Sequence, residues 1–261
     1  MTDHIKEYKN SLSPEFCQHL IDLFENEPGK KKSLTRKDYN QNGYFRKDVK
    51  NSMQYNIILS TEKNDNWLKI EKHLHEELQK KLSLYITELK TSNKYVGFGS
   101  FIDNNLLTVE GFGFTFLRYI QNDGYYNIHQ DGDVNWKHGA SRVITFIWYL
   151  NDVSEGGETE FWENYKVKPE TGKLLLFPAT WSYTHKGCIP ITNDKYIIAG
   201  HLSMRDKNIY DKIVTMDMKE KMDAFVKLSG GNVHESNDSK SNEEKEEVEE
   251  FRKSYERVYF V

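Results

Sequence analysis

Between residues 112 and 204 the chain is cut into short apolar runs, each closed by Gly, Asn or Asp, and that punctuation leaves few folds open. Arg142-Val143-Ile144-Thr145-Phe146-Ile147-Trp148-Tyr149-Leu150-Asn151 is almost continuously apolar, as expected of a central strand covered on both faces. Leu117-Arg118-Tyr119 ends an alternating run. Gly156-Gly157-Glu158-Thr159-Glu160-Phe161 reads as a glycine turn opening a short strand, and Gly172-Lys173-Leu174-Leu175-Leu176-Phe177-Pro178 supplies another. Lys195-Tyr196-Ile197-Ile198-Ala199-Gly200-His201 has the same strand character. Many short, mostly antiparallel strands predict a mainly β protein with flanking helices, wound as a double-stranded β-helix, the jelly-roll type of barrel. The mouth of such a barrel is where a ligand pocket forms.

Helices are expected on either side of these strands. Ser13 can cap a helix that has Pro14 at its first position and Glu15 near its positive end. Phe16, Cys17, Leu20, Ile21 and Phe24 then share one face. A longer helix is expected from about Trp67 to Leu89, with Ile70, Leu74, Leu78, Leu82, Tyr85 and Leu89 on its apolar side. His73 and His75 on that helix point in different directions and are read as solvated, with no metal role. Lys30 to Lys50 is strongly basic and reads as a solvated loop; a flap over a substrate entrance is the functional alternative. The expected organisation is an N-terminal helical and basic-loop support region at 1–100 and a β-helix core at 101–206. A helical extension at 207–228, a Gly/Ser/Asn/Asp-rich linker at 229–242 and an amphipathic helix at 243–261 follow.

A chain of 261 residues can bury a substantial core. Its net charge of −4 implies no strong affinity for nucleic acid. Two cysteines without a spacing pattern, Cys17 and Cys188, suit a reducing compartment. Met1 to Lys6 does not begin like a signal peptide, and no apolar run is long enough to span a bilayer. The expectation is a cytoplasmic protein with no membrane partner; the oligomeric state is left open.

Chemistry enters at His129-Gln130-Asp131. Side chains two apart on a strand share a face, so His129 and Asp131 can reach one metal ion while Gln130 turns away. His185 would come from a separate strand. Two imidazoles and a carboxylate on one side of an iron ion form the facial triad of non-haem Fe(II) oxygenases, with positions left for a cosubstrate and O2. Asp133 continues the parity of Asp131 and is a rival ligand, but Gly132 breaks the strand first, so Asp131 is preferred. Lys195 follows His185 by ten residues. Alone it reads as a cap at an exposed strand end beside Asp194. Behind the three metal ligands it reads instead as the cation for the far carboxylate of 2-oxoglutarate, because a buried lysine needs an anion.

Taken together, Tyr119, His-x-Asp at 129–131, Tyr-Leu-Asn at 149–151, Gly-Gly-x-Thr-x-Phe at 156–161, His185 and Lys195 resemble the prolyl 4-hydroxylase branch of the Fe(II)/2-oxoglutarate dioxygenases. The resemblance runs over roughly residues 112 to 204, and order and spacing agree at six places. It implies that His129, Asp131 and His185 hold Fe(II), that Lys195 pairs with the distal carboxylate, and that Tyr119 hydrogen-bonds 2-oxoglutarate. Tyr149 could do the same, or serve as a packed core tyrosine. His201 stands where many relatives carry tryptophan and shares the Lys195 face, so it lines the pocket or sits as a satisfied core histidine. Arg142 at the rim and His138 in the loop after the His-x-Asp strand are candidate substrate contacts.

The implied reaction is hydroxylation of an aliphatic C–H bond with release of succinate and CO2, with ascorbate as a reductant. The implied substrate is a prolyl residue in a protein or peptide; a free amino acid or other small metabolite is the alternative. A nucleobase demethylase fits less well, since only Arg205 follows the second histidine closely. A non-catalytic metal-binding jelly roll and a zinc hydrolase remain as readings of a different class, and neither needs a buried Lys195.

Overall fold

The computed structural model describes residues 2–33, 46–57, 65–91, 105–109, 113–135, 140–162 and 164–206. His138 and the extension, linker and helix expected after residue 206 lie outside the described residues. Helix α1 (Pro14–Asn26) starts as its sequence requires: Ser13 Oγ accepts a hydrogen bond from the Phe16 amide at 3.2 Å, and Pro14 occupies the first turn. Cys17, Leu20 and Phe24 are buried, with Phe16 and Ile21 packed at the edge of the same cluster. Helix α2 (Asp65–Thr91) buries Trp67, Ile70, Leu74, Leu78, Leu82, Tyr85, Ile86 and Leu89, which recur at three- and four-residue spacing. His73 is exposed, as expected. His75 is not: it is buried against Phe114, with ring centroids 4.6 Å apart, and its Nε2 lies 3.7 Å from Glu71. Its helical position one step from Leu74 brings it onto the packed stripe.

The strands in chain order are β1 (Lys6–Tyr8), β2 (Lys31–Lys32), β3 (Lys50–Asn51), β4 (Met53–Asn56), β5 (Asn105–Val109), β6 (Thr115–Tyr119) and β7 (Tyr125–His129). Then come β8 (Val134–Asn135), β9 (Ala140–Tyr149), β10 (Thr159–Phe161), β11 (Tyr165–Val167), β12 (Leu174–Pro178), β13 (His185–Gly187) and β14 (Lys195–Asp206). They form two antiparallel sheets. The larger runs β1-β12-β9-β14-β6-β4-β2, with β5 on β14 and β8 on β9; the smaller runs β11-β10-β13-β7-β3. This is the double-stranded β-helix expected from the punctuation of the sequence, braced by α1 and α2. The region before residue 100, read as helices and a basic loop, also contributes strands: β1 extends β12, β4 extends β6, and β3 extends β7.

The larger sheet is buried on both faces, which explains its near-continuous apolar strands. Along β9, Ile144, Phe146 and Trp148 turn to the helices, where they join Leu20, Phe24, Leu74 and Leu78. Ile147 and Tyr149 turn the other way, into the space between the sheets, with Leu117, Tyr119, Leu175, Phe177 and Ile197. The second space holds the polar groups. Thr145, Tyr149, Lys195 and His201 all lie on inward positions of β9 and β14, where His201 pairs with Thr145 and Ile197 with Tyr149.

Candidate metal centre and anion pocket

His185 stands directly opposite His129 in the antiparallel pair of β13 and β7. Two residues farther along β13, Gly187 faces Tyr126, which is three residues from His129 on β7. The extra residue on β7 is a bulge, and it leaves Asn127 and Ile128 both exposed while Tyr126 and His129 both turn inward. Their rings stack with centroids 3.6 Å apart. Asp131 follows the end of β7, and Gln130 between them is exposed, as alternation requires.

One ligand atom each from His129, Asp131 and His185 lies within 4.8 Å of the others. Asp131 Oδ1 is 3.5 Å from His129 Nε2, and Oδ2 is 3.5 Å from His185 Nε2. Both imidazoles are aimed by their other nitrogen: His129 Nδ1 is 2.7 Å from the Asn127 carbonyl and His185 Nδ1 is 3.1 Å from the Tyr183 carbonyl. Carbonyls only accept, so each Nδ1 carries the proton and each Nε2 presents a lone pair inward. Burial pushes His185 down to about 4 against the pull of Asp131, so its ring is neutral at physiological pH. Burial alone would raise Asp131, but the imidazoles of His185, His201 and His129 hold its carboxyl well below the usual range. A neutral His185 and an ionised Asp131 are the protonation states a divalent ion needs, and the N,N,O set suits Fe(II). Asp133 is not part of this group.

Two residues support Asp131 from the larger sheet. Thr145 Oγ1 donates to Asp131 Oδ2 at 2.8 Å, and His201 Nε2 lies 3.5 Å from Oδ1. Outer partners of this kind are worth 10–100-fold in metal affinity. Thr145→Val, which keeps the shape and removes the donor, is therefore expected to weaken Fe(II) binding by about 10-fold or more; competition titration against a colorimetric chelator checks this.

Lys195 begins β14 opposite Tyr119 and is 2 % exposed. Its ammonium donates to the Gly157 carbonyl at 2.9 Å and lies 4.5 Å over the Tyr119 ring. Burial lowers it to about 8, despite the opposing influence of Cys188 and Glu158. Here the Gly-Gly-x-Thr-x-Phe run finds its physical reason. Gly157 has φ +72°, and a side chain there would lie 3.4 Å from the Lys195 stem. Thr159 Oγ1 meets the Tyr149 hydroxyl at 2.7 Å, and Phe161 packs on His185 with ring centroids 5.5 Å apart. Tyr149 is thus fully buried and hydrogen-bonded within the protein, while Tyr119 is held by a side-chain hydrogen bond from Ser52. Arg142 Nη1 is 3.5 Å from the Asp131 carbonyl, so this side chain, like His201, is brought to the site.

The basic segment supplied a residue that sequence reading assigned to solvent. Lys50, in β3, is buried to 9 % exposure, with its ammonium 4.6 Å over the ring of Tyr126. Burial pushes it down to about 8, and Asp131 pulls it up. A desolvated cation–π contact returns about 2 kcal/mol, against several kcal/mol for burying an ion. Its pairing with β7, hidden in sequence, separates it from the exposed Lys31 and Lys32.

Residues 114–203 match the profile described as the 2OG-Fe(II) oxygenase superfamily. Probable prolyl 4-hydroxylase 10 of Arabidopsis thaliana is 32 % identical over a stretch covering 28 % of this chain and 34 % of that protein. Probable prolyl 4-hydroxylase 3 of the same plant is also 32 % identical, over 41 % of this chain and 46 % of its own length. The chain thus spans between about a third and a half of these curated relatives. A solved prolyl hydroxylase from Trichoplax adhaerens, in complex with a hypoxia inducible factor oxygen degradation domain peptide fragment, shares the fold with a TM-score of 0.52. It is 19 % identical, and the match covers 79 % of this chain and 86 % of that one.

Proposed function

We propose, from a segment 114–203 that belongs to the 2OG-Fe(II) oxygenase superfamily in its prolyl 4-hydroxylase-like branch, that this protein hydroxylates an aliphatic C–H bond, most simply of a prolyl residue in a protein or peptide. When bound, Fe(II) and 2-oxoglutarate supply the oxidation, in which O2 is consumed, the cosubstrate yields succinate and CO2, and C–H becomes C–OH. His129, Asp131 and His185 hold the metal from one side. Their outer bonds, to Asn127, Thr145 and Tyr183, fix which atom each presents. Lys195 receives the distal carboxylate, with Tyr119 as the floor beneath its ammonium. The packed rings of Phe161 and Phe177 around His185 keep water from that flank.

Lys195 is the observation that carries this reading. A metal-binding module or a zinc hydrolase has no use for a second, buried cation beside the metal ligands, and an ammonium whose direct partners among the described residues are a carbonyl and a ring is incompletely compensated. Ascorbate belongs to the reading as the reductant that keeps the iron ferrous. The two free thiols support a reducing compartment, and cytoplasmic location belongs to this reading. Among the described residues no helix is long and apolar enough to cross a membrane.

The test is to incubate Fe(II)-loaded protein with 2-oxoglutarate, O2 and proline-containing peptides, measuring succinate and the peptide mass together. Slow succinate formation alone, accelerated by a peptide that gains one oxygen, is the expected result. Metal uptake with no oxygen-dependent succinate would instead favour the binding module; a free amino acid gaining the oxygen would move the substrate to the small-metabolite class.

A further inference from the structure

Lys50 has no role in holding the metal or in the reading of Lys195, yet it is buried near enough to Asp131 to feel its charge. It faces Tyr126 across the β3–β7 pair, and Tyr126 stacks on the metal-facing His129, so the ammonium is one ring away from a candidate ligand. Among the described residues it forms no ion pair; Asp131 is the acidic group whose field it feels. Lys195 answers to other neighbours, Glu158 and Cys188, and lies six positions along β14 from His201, which sits at Asp131. The two buried lysines therefore serve different ends of the pocket, Lys195 the far end and Lys50 the metal end.

We propose that Lys50 binds a carboxylate carried by the substrate, next to the carbon that is oxidised. The inference rests on the dioxygenase reading, and charge balance is what selects the substrate over the cosubstrate. In the loaded site the ferrous ion and Lys195 are matched by Asp131 and the dianionic 2-oxoglutarate. Among the described residues the charge on Lys50 is then left over. A neutral substrate would leave that positive charge uncompensated in a closed pocket; an anionic one neutralises it. The tyrosine face under the ammonium orients it without satisfying it, so the carboxylate is held against a fixed donor. An acidic residue beside the target in a peptide and the carboxylate of a free amino acid share this chemistry.

The experiment uses anaerobic protein loaded with Fe(II) and 2-oxoglutarate, titrated calorimetrically with two matched pairs. One is L-proline against L-prolinamide; the other is acetyl-Pro-Glu-amide against acetyl-Pro-Gln-amide. In at least one pair the carboxylate member is expected to bind 10-fold or more tightly, and which pair shows it separates the free amino acid from the peptide. Lys50→Met, matched in volume, should erase the preference; Lys50→Arg, which keeps the charge, should retain most of it. Equal affinity within both pairs, absence of binding by all four ligands, or a preference that survives Lys50→Met overturns the proposal. So does a 10-fold loss of 2-oxoglutarate affinity in Lys50→Met, which would assign the lysine to the cosubstrate. Wild-type protein that binds no 2-oxoglutarate sinks the dioxygenase reading first, before any pair is compared, and the proposal with it.

Discussion

His185→Ala is expected to abolish Fe(II)-dependent succinate formation. Residues that merely orient a ligand are worth 10–100-fold, so loss of a ligand itself should exceed about 100-fold. Bound iron, measured after desalting, should fall in parallel. Because His185 packs on Phe161 and Phe177 at centroid distances of 5.5 and 4.8 Å, truncation also opens a cavity, costing about 2 kcal/mol or more. Thermal unfolding of the metal-free variant separates that cost from the loss of the metal. A folded His185→Ala protein that still turns over 2-oxoglutarate would remove His185 from the centre.

Lys195→Met should move affinity and stability in opposite directions. Its ammonium stands at about 8 in place of 10.5 because burial disfavours the charged form. A tenfold change in proton affinity is about 1.4 kcal/mol, so carrying this charge at neutral pH costs the ligand-free protein on the order of 3 kcal/mol. Methionine removes that cost, and the unfolding midpoint of the ligand-free protein should rise. At the same time the 2-oxoglutarate requirement should increase by about 100-fold, since one carboxylate loses the buried cation that receives it. The sign of the pH effect follows from the lowered value. Below about 8 the free protein already carries the proton; above it, binding the dianion must first recover that proton. Affinity for 2-oxoglutarate in the wild type should thus decline as pH rises past 8, and the decline should vanish in Lys195→Met. An unchanged requirement in the variant would break the pairing.

Much of this arrangement was readable in one dimension because it is periodic. The inward set on β9, β10 and β14 repeats every second residue, so Thr159 and Phe161, or Lys195 and His201, fall on one face by counting alone. The apolar stripes of α1 and α2 are likewise set by spacing. What escaped is whatever depends on a long-range neighbour. Lys50 looks like Lys31 or Lys32 in sequence; it is buried because β3 pairs with β7, more than seventy residues away. His75 looks like His73, but Phe114 closes over one of them. Thr145 is one β-branched residue among several in an apolar run, and only the arrival of Asp131 gives its hydroxyl a task. Tyr126 is misplaced by simple alternation from His129, since the two are three apart and should face oppositely.

That last mismatch has a consequence for how this chain tolerates change in length. Asn127 and Ile128 are both outside, and neither touches the metal ligands through its side chain. Deleting either would bring Tyr126 and His129 two apart, the spacing at which a regular pleat keeps both rings on the inner face. The bulge is thus slack that a shortened chain can take up, whereas losing Gln130, which holds His129 and Asp131 one period of the pleat apart, would turn the carboxylate away from the imidazole.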